Sequence, residues 1–123
     1  MVTFIGASEQ AFTPDIKELI SMSAPRIVHC GKFGNATILK IHSNMLCAVL
    51  DAAAGETLTV AKKAGLDLKL VFDAMRISSG NSFFWETEVP LTLRGEYSPN
   101  FTAAMMAKDL SLGLDLAKRH NVP

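Results

Sequence analysis

Two residues have the types and spacing to do chemistry together. Lys40 and Asn44 stand four apart in the run Gly31 to Ala64, a spacing that stacks them on one helical face. A lysine amine can take or give a proton. In a desolvated cleft a lysine ammonium gives up its proton more readily, which suits general acid–base work near neutral pH. Asn44 carries both a donor and an acceptor and can hold a substrate carboxylate or hydroxyl beside it. Spacing alone also allows a plainer role, in which the lysine stem lies along apolar surface and its head reaches water. Periodicity does not choose between the two.

The element that must position the pair is a long helix. From Gly31 to Ala64 there is no proline, and apolar residues occupy nearly every side: Ile38, Leu39, Ile41, Met45, Leu46, Val49, Leu50, Ala53, Leu58 and Val60. A helix apolar all round is expected to be buried. Its roughly 29 residues give a length of about 43 Å, enough to bridge two domains. Gly55 near its middle predicts a close helix contact or a bend. Glu56 reads as solvated helix face, with a role as a carboxylate partner, or as support behind a site residue, as the alternative. Gly65 ends the helix.

Ahead of it, Val2–Ile5 reads as a strand. Thr13-Pro14-Asp15 opens a helix with an apolar face of Ile16, Leu19, Ile20 and Met22, and Arg26–Cys30 reads as a second strand. Two strands joined by a helix are expected to be parallel, and they form too small a sheet to stand alone. Residues 1–31 are therefore the expected β-α-β edge of a larger sheet. Gly31 and Gly34 lack the third glycine and the acidic residue of a dinucleotide fingerprint, and read as a sharp turn into the long helix.

Residues 32–123 read as helical. Asp67 caps a helix with the stripe Leu68, Val71, Phe72 and Met75. Ser78-Ser79-Gly80-Asn81 is a turn, either a plain connection or an anion contact. A third helix is expected from about Ser82, bearing Phe83, Phe84, Trp85 and Val89, with Pro90 limiting or kinking it. After the polar loop Arg94–Asn100, a last helix is expected from about Thr102 to Arg119, with Ala104, Met105, Leu110, Leu112, Leu114 and Leu116 inward. Lys108 and Asp109 interrupt it. Neighbours on a helix point about 100° apart, so one can face a cleft and the other water.

Composition excludes several classes. The 123 residues are 49% hydrophobic and 20% charged, with 12 basic and 12 acidic residues and a formal net charge of zero. That balance gives no electrostatic footprint for nucleic acid or anionic lipid. Apolar runs are broken by Lys, Asp and Glu, so no membrane span is expected, and no signal-peptide pattern is visible. Cys30 and Cys47 make no disulfide framework, and a cytoplasmic setting is expected. His29, Cys30, His42, Cys47 and His120 lack zinc spacing, so no metal is expected.

The string Gly31–Asn44, a Gly-containing turn followed by a lysine and then an asparagine four residues on, resembles the signature of the beta-hydroxyacid dehydrogenases, the 3-hydroxyisobutyrate dehydrogenase family. A second block, S-P-N-F-T-A-A-M-M-A-K-D-L-S-L-G-L-D-L-A from Ser98 to Ala117, resembles the same family. So do A-G-L-D at 64–67 and S-S-G at 78–80. Ala36 replaces a glycine, and Ser43 an asparagine, found in many members. A histidine directly before the last asparagine marks the related 6-phosphogluconate dehydrogenases; here His42 is two before it, which disfavours that alternative.

The resemblance implies a mainly α fold: an all-helical dehydrogenase C-terminal domain, truncated, after the edge of an NAD(P)-binding Rossmann domain. It implies an oxidoreductase moving hydride between NAD or NADP and a short 3-hydroxy acid or semialdehyde, of the 3-hydroxyisobutyrate, tartronate semialdehyde, glyoxylate or succinic semialdehyde type. By the same resemblance Lys40 is the catalytic acid–base residue. Asn44, Phe101 and Asp109 bind substrate, and Lys108 contacts the cofactor, whose main site belongs to the preceding domain. Without that domain, the chain is expected to be inactive by itself. Partners are a small-molecule substrate and further copies of the protein, through apolar surface left uncovered. The alternative from another class is a non-catalytic dimerisation or partner-binding module on the same fold; the presence of Lys40 argues against it.

Overall fold

The computed structural model describes residues 2–98 and 101–122. Pro99 and Asn100, part of the second motif block, lie outside the described residues. The chain divides into two compact units, Met1–Ser43 and Asn44–Pro123.

The first unit begins with β1 (Val2–Ile5), α1 (Pro14–Ser21) and β2 (Arg26–His29). β1 and β2 pair in parallel, with Val2 opposite Arg26 and Ile5 opposite His29, as the strand–helix–strand order requires. Thr13 caps α1 by accepting from the Ile16 amide, and Pro14 occupies the first turn. The expected apolar face of α1 is uncovered: Leu19 is 68% and Met22 82% exposed, and the helix buries none of its residues. A two-stranded sheet offers too little surface to cover a helix. Gly31 and Gly34 turn the chain at φ +74° and +92°, conformations open to glycine at little steric cost. The turn packs on β1 through Gly6, where a Cβ would lie 2.9 Å from the Lys32 carbonyl oxygen.

α2 (Asn35–Lys63) is one continuous helix of 29 residues, the expected length. Its burial is not the expected one. Only Ala48, Ala54, Leu58 and Ala61 are buried, while Leu46, Val49 and Val60 are 57–67% exposed. The apolar residues form two faces, and the described chain covers one of them. Nothing among the described residues comes within 4 Å of a Cβ built at Gly55, so of the two expectations there, a close helix contact or a bend, the contact is not made.

The second unit continues with α3 (Leu68–Arg76), α4 (Phe83–Thr87), α5 (Val89–Leu93) and α6 (Ala103–Arg119). Gly65 at φ +82° closes α2, and Asp67 caps α3 by accepting from the Leu70 amide at 2.8 Å. The core joins Ala54, Leu58 and Ala61 of α2 to Val71, Trp85 and Val89, with Leu68, Phe72, Met75 and Phe84 against them. Trp85 lies nearly parallel to Phe72 and donates its Nε1–H to the Phe72 carbonyl at 3.2 Å, which satisfies the polar tip of a buried indole. The single third helix read from sequence is two short ones. Ser82 caps α4, the break falls at Glu88, and Pro90 sits in the first turn of α5, where its missing N–H costs nothing.

A mainly helical domain following a short parallel β-α-β edge is the architecture expected from the sequence.

Candidate functional site

Thr102 starts α6 by accepting from the Met105 amide at 3.2 Å. Along α6 the less exposed residues are Met106, Asp109, Leu110, Gly113, Leu116 and Ala117, a stripe at the 3.6-residue period. The expected inward set is corrected by this. Leu110 and Leu116 belong to the stripe, but Ala104, Met105, Leu112 and Leu114 are exposed, because they fall outside the arc that meets the rest of the unit.

Within that stripe Gly113 lies against α2. A Cβ at Gly113 would stand 3.0 Å from the Met45 sulfur, so the absence of a side chain lets the two helices approach. One turn before Gly113 is Asp109, and the residue before Met45 is Asn44. The crossing joins these two: the Asn44 Nδ2 donates to Asp109 Oδ2. The other carboxylate oxygen, Oδ1, is 3.0 Å from Lys108 Nζ. Lys108 and Asp109 therefore pair, although neighbours on a helix do not face each other, because the lysine stem is long enough to fold back. The Asp109 side chain is 14% and that of Lys108 65% exposed. One faces inward and the other water, as the sequence allowed.

Lys40 lies in the first unit, in the second turn of α2, and is exposed there. Phe101 precedes the α6 cap and is 42% exposed. The structure thus brings Asn44, Lys108 and Asp109 together by direct bonds. A shallow depression along α2, lined by Asp51, Ala52, Gly55, Glu56, Thr59 and Val60, holds none of the expected site residues; Glu56 stands there as a solvated residue.

Sequence reasoning left a second cluster unassigned. His29 at the end of β2 bonds through Nε2 to the Ala7 carbonyl at 2.8 Å, has Nδ1 3.6 Å from Glu9 Oε1, and meets the Phe12 ring at a 35° tilt with 4.6 Å between ring centroids. These contacts tie the loop after β1 to β2, a long-range pairing that carries no periodic signal.

Exposed ion pairs lie elsewhere among the described residues. The Arg94 guanidinium, bonded to Glu96 at 2.6 Å, holds the Glu96 carboxyl below its ordinary range. The Lys69 ammonium is raised by its hydrogen bond to, and the charge of, Asp73 at 2.7 Å. Among the described residues no group of three or more His, Cys, Asp or Glu side chains could hold a metal. No described helix is long and apolar enough to cross a membrane.

The glycine turn ahead of α2 packs against Gly6, where a Cβ would meet Lys32 O, Ala36 N and Gly34 N within 3.4 Å. What the site offers is a fixed carboxylate–amide pair beside an exposed ammonium.

A helical domain after a short parallel β-α-β edge is the fold of a dehydrogenase C-terminal domain. Residues 34–123 match the model of the NAD-binding family of NADP-dependent 3-hydroxyisobutyrate dehydrogenase, and the chain belongs to that family. It is 27% identical over 93% of its length to a probable 3-hydroxyisobutyrate dehydrogenase of Mycobacterium tuberculosis, covering 41% of that protein. It is 29% identical over its whole length to an L-threonate dehydrogenase of Haemophilus influenzae, again covering 41%. The chain thus spans about two fifths of these curated relatives. Among solved structures, 3-hydroxyisobutyrate dehydrogenase from Salmonella typhimurium superposes with a TM-score of 0.85 at 30% identity, over 96% of this chain and 41% of that one. The Mycobacterium tuberculosis enzyme with L-serine gives 0.85 at 27% identity, over 96% and 43%.

Proposed function

We propose that this chain is the substrate-handling part of an NAD(P)-dependent beta-hydroxyacid dehydrogenase acting on a short 3-hydroxy acid or its semialdehyde. One observation carries the reading: the two motif blocks meet in a direct bond between Asn44 and Asp109, 65 residues apart in sequence. Relatives named for 3-hydroxyisobutyrate, L-threonate and 2-(hydroxymethyl)glutarate support a hydroxy acid substrate. L-serine, present with one solved relative, is itself a 3-hydroxy acid.

In this reading residues 1–31 are the edge of an NAD(P)-binding domain, and residues 32–123 begin the helical domain. The nicotinamide supplies the chemistry of accepting or returning a hydride, and its main binding site lies in the preceding domain. Lys40 takes the hydroxyl proton from the substrate in oxidation and returns it in reduction. Asn44 holds the substrate, and Phe101 and Asp109 line the cleft. Lys108 uses one of its three ammonium donors on Asp109 and has others for the cofactor side. Copies of the full protein associate through the uncovered apolar face of α2, and the setting is cytoplasmic.

An NAD(P)H-linked assay of the full-length protein against short hydroxy acids and semialdehydes, with Lys40→Ala alongside, tests the reading. The variant is expected to lose about 10²–10⁴ in kcat, the usual worth of a general acid–base group. Wild-type turnover by Lys40→Ala would remove the lysine from the mechanism.

A further inference from the structure

We propose that Asn35 is a positioning residue: its side-chain amide ties the first residue of α2 to the residue that follows β2, and so sets where Lys40 stands relative to the β-α-β edge. The inference deepens the function proposed above and rests on its assignment of Lys40 as the acid–base group.

The chain leaves β2 at Cys30 and enters α2 at Asn35 through a turn whose glycines, Gly31 and Gly34, stand at φ +74° and +92°. Two glycines give such a turn wide conformational freedom, so a direction for the helix has to come from bonds across it. Asn35 supplies two. Its backbone N–H donates to the Lys32 carbonyl at 3.1 Å, and its Nδ2 donates to the Cys30 carbonyl at 2.7 Å in a part-buried position. The Cys30 N–H in turn donates to the Ile5 carbonyl of β1 at 2.7 Å, which anchors the same residue to the sheet. Gly6 backs the Lys32 carbonyl from the side of β1, where a Cβ would lie 2.9 Å away. One bond from Asn35 would leave a pivot; two, to separate anchored carbonyls, fix an orientation. The chemistry requires a donor, since a backbone carbonyl only accepts, and the short amide side chain brings one.

Lys40 follows Asn35 by five residues on the same helix, about 7.5 Å along its axis. A tilt of about 10° at the start of α2 therefore carries the Lys40 backbone about 1 Å sideways. A misplacement of about 1 Å at a reacting group can cost about 10²-fold in rate. Asn35 acts through Lys40, on the proton transfer, so its loss belongs in kcat rather than in KM.

The test uses the full-length protein with Asn35→Asp, which keeps the shape of the side chain but sets an acceptor against an acceptor, with Lys40→Ala, and with the two combined. Asn35→Asp should lower kcat about 10- to 100-fold, with KM for hydroxy acid and cofactor within about threefold of wild type. In the Lys40→Ala background the same substitution should cost nothing further, because a residue that acts through the lysine has nothing left to position. Independently of turnover, the backbone amides of Asn35 and Ile38, which donate to the Lys32 and Gly34 carbonyls, should exchange with solvent about tenfold faster in Asn35→Asp. Those of Leu58 and Ala61 in the core should keep their protection. Asn35→Ala, which removes the donor without adding a carboxylate, carries the same comparison if Asn35→Asp does not fold. Losses that multiply in the combined variant would reduce Asn35 to a structural contact and overturn the inference, with the functional reading intact. Wild-type kcat in folded Asn35→Asp, or unchanged exchange at Asn35 and Ile38, would do the same. Wild-type turnover by Lys40→Ala would mark failure of the functional reading, and this inference would fall with it.

Discussion

At the scale of single residues, glycine at position 6 is dictated by what surrounds it. Its missing side chain is what lets β1 lie against the turn before α2. A methyl there would meet Lys32 O at 2.9 Å, Ala36 N at 3.3 Å and Gly34 N at 3.4 Å. All three are backbone atoms, and backbone in a turn cannot swing aside as a side-chain tip can. Gly6→Ala should therefore cost about 1–3 kcal/mol, the usual range for overpacking, read as a lower denaturant midpoint with an unchanged slope. An unchanged midpoint would mean the turn yields freely. This contact was invisible in the sequence because it joins residues far apart along the chain. The placing of Lys40 and Asn44 in one helix was legible in the sequence. The bond from Asn44 to Asp109 was not, since it depends on a helix crossing that no local pattern encodes.

Elements were the most readable scale, because their ends are set by neighbouring residues. Thr13, Asp67, Ser82 and Thr102 each accept from the amide three residues on, the arrangement of an N-cap. Each was a Thr, Asp or Ser standing before an apolar run. Which face a helix buries was less readable. α6 carries apolar residues on several sides, and only the crossing at Gly113 and Met45 selects the stripe through Met106, Asp109 and Leu110. Because the cap fixes where α6 begins, it also fixes the register that delivers Asp109 to Asn44. Thr102→Ala should cost about 1 kcal/mol of stability, measurable as a shift in melting temperature, with Thr102→Ser close to wild type. Equal loss in both variants would assign the effect to the threonine methyl and not to the cap.

For the molecule as a whole, the uncovered side of α2 is the feature with a consequence. Leu46, Val49, Ala53 and Val60 fall within roughly 60° of one another around the helix at 100° per residue, and Leu46, Val49 and Val60 are 60%, 57% and 67% exposed. The buried residues Ala54, Leu58 and Ala61 occupy a different side, turned into the core with Trp85 and Val89. The sequence pattern, apolar all round, matches a helix with two apolar sides. It could not tell which contacts this length of chain supplies. An apolar stripe left in water favours association, so the chain in solution should self-associate, with a sedimentation coefficient that rises with concentration. Val49→Lys and Val60→Lys change side chains outside the core, so the fold should persist by circular dichroism while association weakens. Each exposed valine removed from an interface withdraws apolar surface at about 25 cal/mol per Å², so the double variant should shift the association midpoint by an order of magnitude or more. A single species at every concentration, in wild type and variant alike, would show that this face meets water without cost, and the proposed self-association through α2 would fall.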